Sequence, residues 1–408
     1  MSGEILFLAH RMPFPPDRGD KIRSSHILRH LATLGSVHVA TFAENDADLA
    51  QEPTLARLAT SHCLVPRTKP LPLAGAEALL RRQPVSVSAF HSPRLVAYVT
   101  KVLAERPISA IYVFSGQMGQ YVPTAFARRV ILDFVDVDSA KFEAYAEAGI
   151  GPRAWIDARE GRLLKAEEQR LAGRADISLF VSSEEANLFA SRLDAWLDIR
   201  ALRNGIDSES FDPALVKPEP HLTSLPGPRL MFTGQMDYPP NIAAAERAIT
   251  RLMPAIRAVV PDASLHIVGR NPSVALKSHH GQNGCYVWGE VADVRTWLAG
   301  ADLAFIPLEI ARGVQNKVLE AMAMRLPVVL SPGAATGIGA SDRAHFAIAE
   351  SDEDLIARVL ELDAHPGVAT VLGQNARQFV VDNLSWNATL APLGDLLFGA
   401  GGQNRRAA

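Results

Sequence analysis

The feature that most constrains this chain is a rhythm that occurs twice: short β-type runs alternate with longer helical stretches, in two blocks separated by a proline-rich interval. In the first block Ile5–Ala9, Val37–Phe42, Ile108–Phe114, Val130–Val135 and Ile177–Val181 are apolar and short, while Lys21–Leu34, Ala47–Ala59 and Met118–Arg128 carry helical spacing. Such alternation predicts parallel strands covered by helices. Between about 139 and 172 the chain is rich in Ala, Glu, Lys, Arg and Leu, and Gly149-Ile150-Gly151-Pro152 divides that stretch into two helices.

From Asn204 to Pro228 the apolar period disappears into NGIDSESFDPALVKPEPHLTSLPGP, which marks a boundary. The alternation then resumes with Arg229–Thr233, Ala244–Val260, Ser264–Val268, Tyr286–Trp288, Leu303–Ile306, Lys317–Met324, Val328–Leu330 and Phe346–Ala349. The fold class expected is α/β, with two doubly wound Rossmann-like domains facing a cleft. The expected partition is 1–203, a linker at 204–228, a second domain at 229–384, a C-terminal helix at 385–398 crossing back to the first domain, and a flexible tail at 399–408.

A chain of 408 residues exceeds one ordinary core, and 48% hydrophobic with 21% charged residues describes a folded protein able to bury two. The net charge of −3 gives no basic surplus for general nucleic-acid binding. The opening apolar run, Ile5–Ala9, is too short for a signal or membrane helix, so the expected location is cytoplasmic. Cys63 and Cys285 have no metal-type spacing and read as reduced thiols.

Chemistry concentrates in DLAFIPLEIARGVQNKVLEAMAMRLPVVLSPG, residues 302–333: a strand, a loop containing Gly313, a helix from about Gln315, and a second strand. A helix opening after a glycine loop offers free amides and a positive dipole end to an anion such as a diphosphate. Lys317 sits in the first turn, where a cation costs the helix ~0.3–1 kcal/mol, and Glu320 lies on the same face three residues on. That spacing fits a ligand site or a surface i,i+3 ion pair.

VQNKVLEAMAMRLPVVLSPGAATGI, with its K-x-x-E-A-M-A core and following P-V-V, resembles the donor-binding segment of the family-4 retaining glycosyltransferases of the GT-B fold. The resemblance implies a hexosyltransferase-type enzyme that moves a sugar from a nucleoside diphosphate sugar to a glycan or lipid-linked acceptor, in exopolysaccharide or cell-surface glycan synthesis. In that family the second glutamate of an E-x7-E pair, here Glu320, bonds the donor ribose; the first falls on Arg312, a departure from the pattern. Arg312, Gly313 and Val314 would line the diphosphate and sugar, with Lys317 as a phosphate contact.

Phe232-Thr233-Gly234-Gln235-Met236-Asp237-Tyr238 is similar to the segment opening the donor domain in an exopolysaccharide subgroup associated with protein-sorting (PEP-CTERM) systems, and it lacks the Arg and Lys pair of many relatives. Gly234 and Met236 are candidate donor contacts on that likeness. His266–Arg270 and Val287–Val291 resemble the strand ends that enclose the base, which adds Gly269, Arg270 and Val291. Gly19 and Asp20 match the glycine loop that approaches the diphosphate from the first domain. The acceptor candidates are His91, Ser115, Gly116, Asp136 and Asp138, with His10 a further candidate for proton handling. No cofactor or metal is expected, and a lipid-linked acceptor would bring the protein to the inner face of a membrane by peripheral association.

Two rival functions share the plan: a nucleotide-sugar 2-epimerase and a catalytically inert sugar-nucleotide-binding protein. A dehydrogenase is disfavoured because no G-x-G-x-x-G follows a strand.

Overall fold

The computed structural model describes residues 3–311 and 313–399. Contacts divide the chain into two compact units, Met1–Asn204 with Thr389–Ala408, and Gly205–Ala388. The interval expected as a linker therefore packs with the second unit from Gly205 onward.

The first unit is built on seven parallel strands: β1 (Glu4–Ala9), β2 (Val37–Ala43), β3 (Ser61–Pro66), β4 (Ile108–Phe114), β5 (Arg129–Val135), β6 (Ile177–Phe180) and β7 (Ile199–Ala201). Their order is β3-β2-β1-β4-β5-β6-β7. Ile5 to Ala9 are completely buried, the all-apolar reading of a strand covered on both faces. The helices that matter below are α1 (Gly19–Leu34), α2 (Leu71–Arg81), α3 (Asp138–Ala148) and α4 (Pro152–Ala172). The turn at Gly149–Gly151 separates the last two, and Gly151 takes φ +79°, where a side chain would be strained.

The second unit carries six parallel strands: β8 (Arg229–Thr233), β9 (Ser264–Val268), β10 (Cys285–Gly289), β11 (Leu303–Ile306), β12 (Val328–Leu330) and β13 (Ala347–Ile348). Their order is β10-β9-β8-β11-β12-β13. The strand order reverses between β8 and β11, and ligands of open α/β sheets sit outside the strand carboxyl ends at such a point. From β11 the chain passes through a loop into α5 (Asn316–Ala323), which packs on α6 (Pro366–Asn383). Added at Gly373 of α6, a Cβ would lie 2.2 Å from the Arg325 carbonyl, so that close crossing requires glycine.

The stretch Trp386–Phe398, expected as one helix, is two short ones, Trp386–Leu390 and Leu393–Phe398. Pro392 lacks the N–H that a continuous helix needs there. The second of them packs against β4 and β5 of the first unit. No helix among the described residues is long and apolar enough to cross a membrane.

Candidate functional site

At the carboxyl ends of β8, β9, β10 and β11 lies a cavity of about 460 Å³. Each strand contributes the residues just past its end: Thr233, Gly234 and Gln235; Val268, Gly269 and Arg270; Glu290 and Val291; and Val314 to Lys317 with Glu320. Backbone hydrogen bonds tie these ends together, from Gly234 N to the Val268 carbonyl (3.0 Å), Gly269 N to the Gly289 carbonyl (2.8 Å) and Met236 N to the Arg270 carbonyl (2.9 Å). A Cβ added to Gly269 would fall 1.5 Å from the Gly234 carbonyl oxygen. Only glycine permits that approach.

The helix α5 turns Val318, Leu319, Ala321, Met322 and Ala323 into the core, which leaves Lys317 and Glu320 on the cavity side. Its first turn holds no acidic residue, and Gln315 at the N-cap makes no side-chain cap. The helix is held from behind by Arg377 of α6, whose Nη1 donates to the Ala323 carbonyl at 2.5 Å while Nη2 pairs with Asp212 at 2.9 Å. A cation on the last carbonyls suits the helix dipole.

Lys317 does not pair with Glu320. Its ammonium donates to Asn241 Oδ1 at 2.5 Å and lies 4.9 Å from the centre of the Phe232 ring. Asn241 is fixed in turn by donating Nδ2 to the Gln235 carbonyl at 2.8 Å. Burial pulls the Lys317 pKa down to about 8, only partly offset by the charge of Glu320. Burial raises that of Glu320, and Lys317 opposes the rise. Both side chains remain partly open to solvent on the cavity side even though protein surrounds the rest of each. The Glu320 carboxylate and the exposed Arg270 guanidinium have no charged partner among the described residues. The cavity thus presents an ammonium, a guanidinium and a carboxylate not used up by one another, next to free helix amides; such a set can take a ligand bearing both an anionic group and hydroxyls.

Of the residues picked from sequence, Gly234, Gly269, Arg270, Val291, Val314, Lys317 and Glu320 line this cavity together. Met236 does not. It is a core side chain, 1% exposed, that points into the apolar interior because its neighbours in the loop take the polar positions. Gly313 stands in the loop before α5 at φ +64° without lining the cavity, and Arg312 lies outside the described residues. Sequence reasoning missed Asn241, Tyr238, Glu290 and Val294. Asn241 follows Pro239-Pro240 and reads as an ordinary helix start, so only its reach to Lys317 reveals it.

In the first unit the picks go to the matching strand ends but not to one cavity. Asp20, in the first turn of α1, bonds Arg11 (2.8 Å) and Arg18 (2.7 Å) and approaches His10 Nε2 at 3.4 Å. Glu44 pairs with Arg11 (2.8 Å) and Arg67 (3.1 Å). Burial alone would raise the Asp20 carboxyl, but bonding from His10 and the charge of Arg11 outweigh it and hold it well below the usual range. Burial lowers the pKa of His10. Gly19 beside them is open, and a Cβ there would meet nothing within 4 Å.

His91 Nδ1 sits 3.1 Å from Gln120 Oε1, and Ser115, at φ +76°, contacts Gln117 through its hydroxyl. Gly116 faces the Phe134 ring, 3.4 Å from where its Cβ would be. Asp136 and Asp138 share Lys141, at 2.7 and 3.3 Å. Asp133 is separate and fully buried: Arg23 donates Nε to it at 3.1 Å and Tyr112 its hydroxyl at 2.8 Å, while Arg23 Nη1 reaches Asn204 at 2.9 Å.

Residues 227–364 match the family described as Glycosyl transferases group 1. This region is a group 1 glycosyltransferase domain. It contains every strand of the second sheet together with the whole lining of the cavity. The two sheets with their helices have the GT-B architecture of solved glycosyltransferases. HepE of Anabaena in complex with UDP and glucose is 15% identical, with 97% of this chain and 99% of that one covered at a TM-score of 0.58. Sucrose-phosphate synthase of Thermosynechococcus elongatus is 16% identical over 97% and 98% of the two chains, at 0.56. A glycosyltransferase of Rickettsia africae is 13% identical over 97% and 98%, at 0.59. No curated protein matches the sequence of the chain closely enough to count as a relative.

Proposed function

We propose that the protein is a glycosyltransferase whose group 1 domain holds a nucleoside diphosphate sugar in the cavity at the ends of β8–β11. The observation that carries this reading is the Lys317 ammonium, anchored by Asn241 but unmatched by a carboxylate, beside the start of α5 and one turn from Glu320. Lys317 and the α5 amides bind the diphosphate, with Arg312 completing the set as the family resemblance implies. Glu320 accepts hydrogen bonds from the ribose. When the bond from the anomeric carbon to the diphosphate oxygen breaks, its electron pair stays on the diphosphate, and preorganised donors stabilise that growing charge. An acceptor hydroxyl forms the new bond to the anomeric carbon and loses its proton. The reading includes retained configuration, no metal requirement, and a glycan or lipid-linked acceptor of a cell-surface polysaccharide, reached from the first unit's strand ends. With a lipid-linked acceptor the enzyme works at the inner face of the membrane as a peripheral protein.

HepE was solved with UDP and glucose, which makes UDP-glucose the first donor to test. The test is thermal shift with UDP-, GDP- and ADP-sugars, followed by product analysis with and without acceptor. A ligand that binds the native state alone raises its melting point. A sugar nucleotide isomerised without acceptor would indicate a 2-epimerase. Binding with neither hydrolysis nor transfer would indicate an inert binder.

A further inference from the structure

The helix α2 is built inside out. Its buried residues are Ala74 and Ala78, while Leu71, Leu73, Leu79 and Leu80 face solvent, Leu80 at 86% exposure. An amphipathic helix of a soluble domain normally buries its leucines. Polar relief on this helix is confined to one side, where Glu77 pairs with Lys69 at 2.8 Å, and to the end, where Arg81 and Arg82 are exposed.

A second apolar projection lies beside it. Arg159 of α4 donates Nη2 to the Ala78 carbonyl at 3.1 Å, and the neighbouring Glu160 accepts from Val85 N and Ser86 N at 2.9 Å, so this turn of α4 is docked at the C-terminal end of α2. Trp155 and Ile156 stand four and three residues before Arg159, on the same face and about 6 Å further along the helix. They too are exposed, Trp155 at 65%, and Ile150 at the adjoining turn is 95% exposed. Arg153 is exposed next to them. Among the described residues Arg81, Arg82 and Arg153 have no acidic partner; the nearby acids are Asp157 and the exposed Glu147.

We propose that Leu79, Leu80, Ile150, Trp155 and Ile156, with the arginines around them, form a surface that docks onto an anionic lipid bilayer. Leucine and tryptophan enter the boundary between headgroups and acyl chains, while Arg81, Arg82 and Arg153 meet lipid phosphates. A second copy of the chain fits worse, since a twofold contact would set this patch, and its unpaired arginines, against itself. The proposal deepens the membrane part of the function proposed above but uses no sugar chemistry, so its test needs neither donor nor acceptor.

The experiment is co-sedimentation of the full chain with vesicles of phosphatidylcholine alone or mixed with phosphatidylglycerol. Binding to the anionic vesicles is expected to exceed binding to neutral ones by about tenfold and to weaken with salt. The L79S/L80S/W155S variant loses about tenfold with its melting point retained, and R81Q/R82Q/R153Q loses the preference for anionic lipid. Brominated lipid quenches tryptophan emission in the parent and markedly less in W155F, which keeps the test open should the triple variant fail to fold. Protein that stays in the supernatant with anionic vesicles, undiminished sedimentation of the serine variant, or a lipid-free dimer that L80S dissociates would overturn the proposal.

Discussion

Two groups of charges occupy equivalent places in the two units, at the carboxyl ends of central parallel strands, yet they are wired in opposite ways. After β1, the acids Asp20 and Glu44 are shared among Arg11, Arg18, Arg67 and His10, so the carboxylates are spent on neighbours. After β8 and β11, Lys317 and Glu320 lie within one turn without pairing, and each bears the cost of burial as a shifted pKa. A protein keeps a desolvated, unmatched cation where a ligand returns the missing interaction. The saturated network reads as scaffold, the unsaturated one as a binding site.

The largest effect expected from breaking this contrast is on the scaffold side. Arg23→Ala leaves Asp133 buried without its cation, and denaturant unfolding should show a loss of about 3–5 kcal/mol. A loss under 1 kcal/mol would mean that the buried pair is not structural. Next comes Lys317→Ala, for which turnover of the preferred donor should drop by about 10²–10³. Its melting point should hold or rise, because the substitution removes a desolvation penalty of order 2 kcal/mol after allowing for the solvent-facing side.

A pH series separates the two roles of Lys317. Its folded pKa of about 8 lies below the unfolded value of ~10.4, so between these limits the unfolded chain binds more protons and this group's contribution to stability rises with pH. Donor affinity should move the other way, falling above about pH 8 as the ammonium loses its charge. Affinity flat from pH 7 to pH 9.5 would deny Lys317 a phosphate contact. The smallest effect belongs to Arg18→Ala at the half-exposed rim of the paired cluster, within about 1 kcal/mol of the parent by the same unfolding assay.

The alternating rhythm of runs was enough to read both sheets and the strand–loop–helix unit that carries Lys317. β3 was not readable, since SHCLVP mixes polar residues into an edge strand and ends in proline. The twist of meaning at Met236 has a similar source. Its loop looks polar in sequence, and nothing in GQMDY says that the methionine alone turns inward. Asn241 was hidden because its role depends on a contact 76 residues away in sequence. The leucines of α2 defeat periodicity for another reason: a helix that faces its alanines inward carries the same spacing as one that buries its leucines.

Isothermal titration of the parent and of Lys317→Ala with UDP, at pH 7 and again at pH 9.5, tests the central claim most directly. The account predicts binding by the parent that weakens at the higher pH, and binding by the variant that is weak and indifferent to pH across that interval. Equal affinity in parent and variant at pH 7 would contradict it.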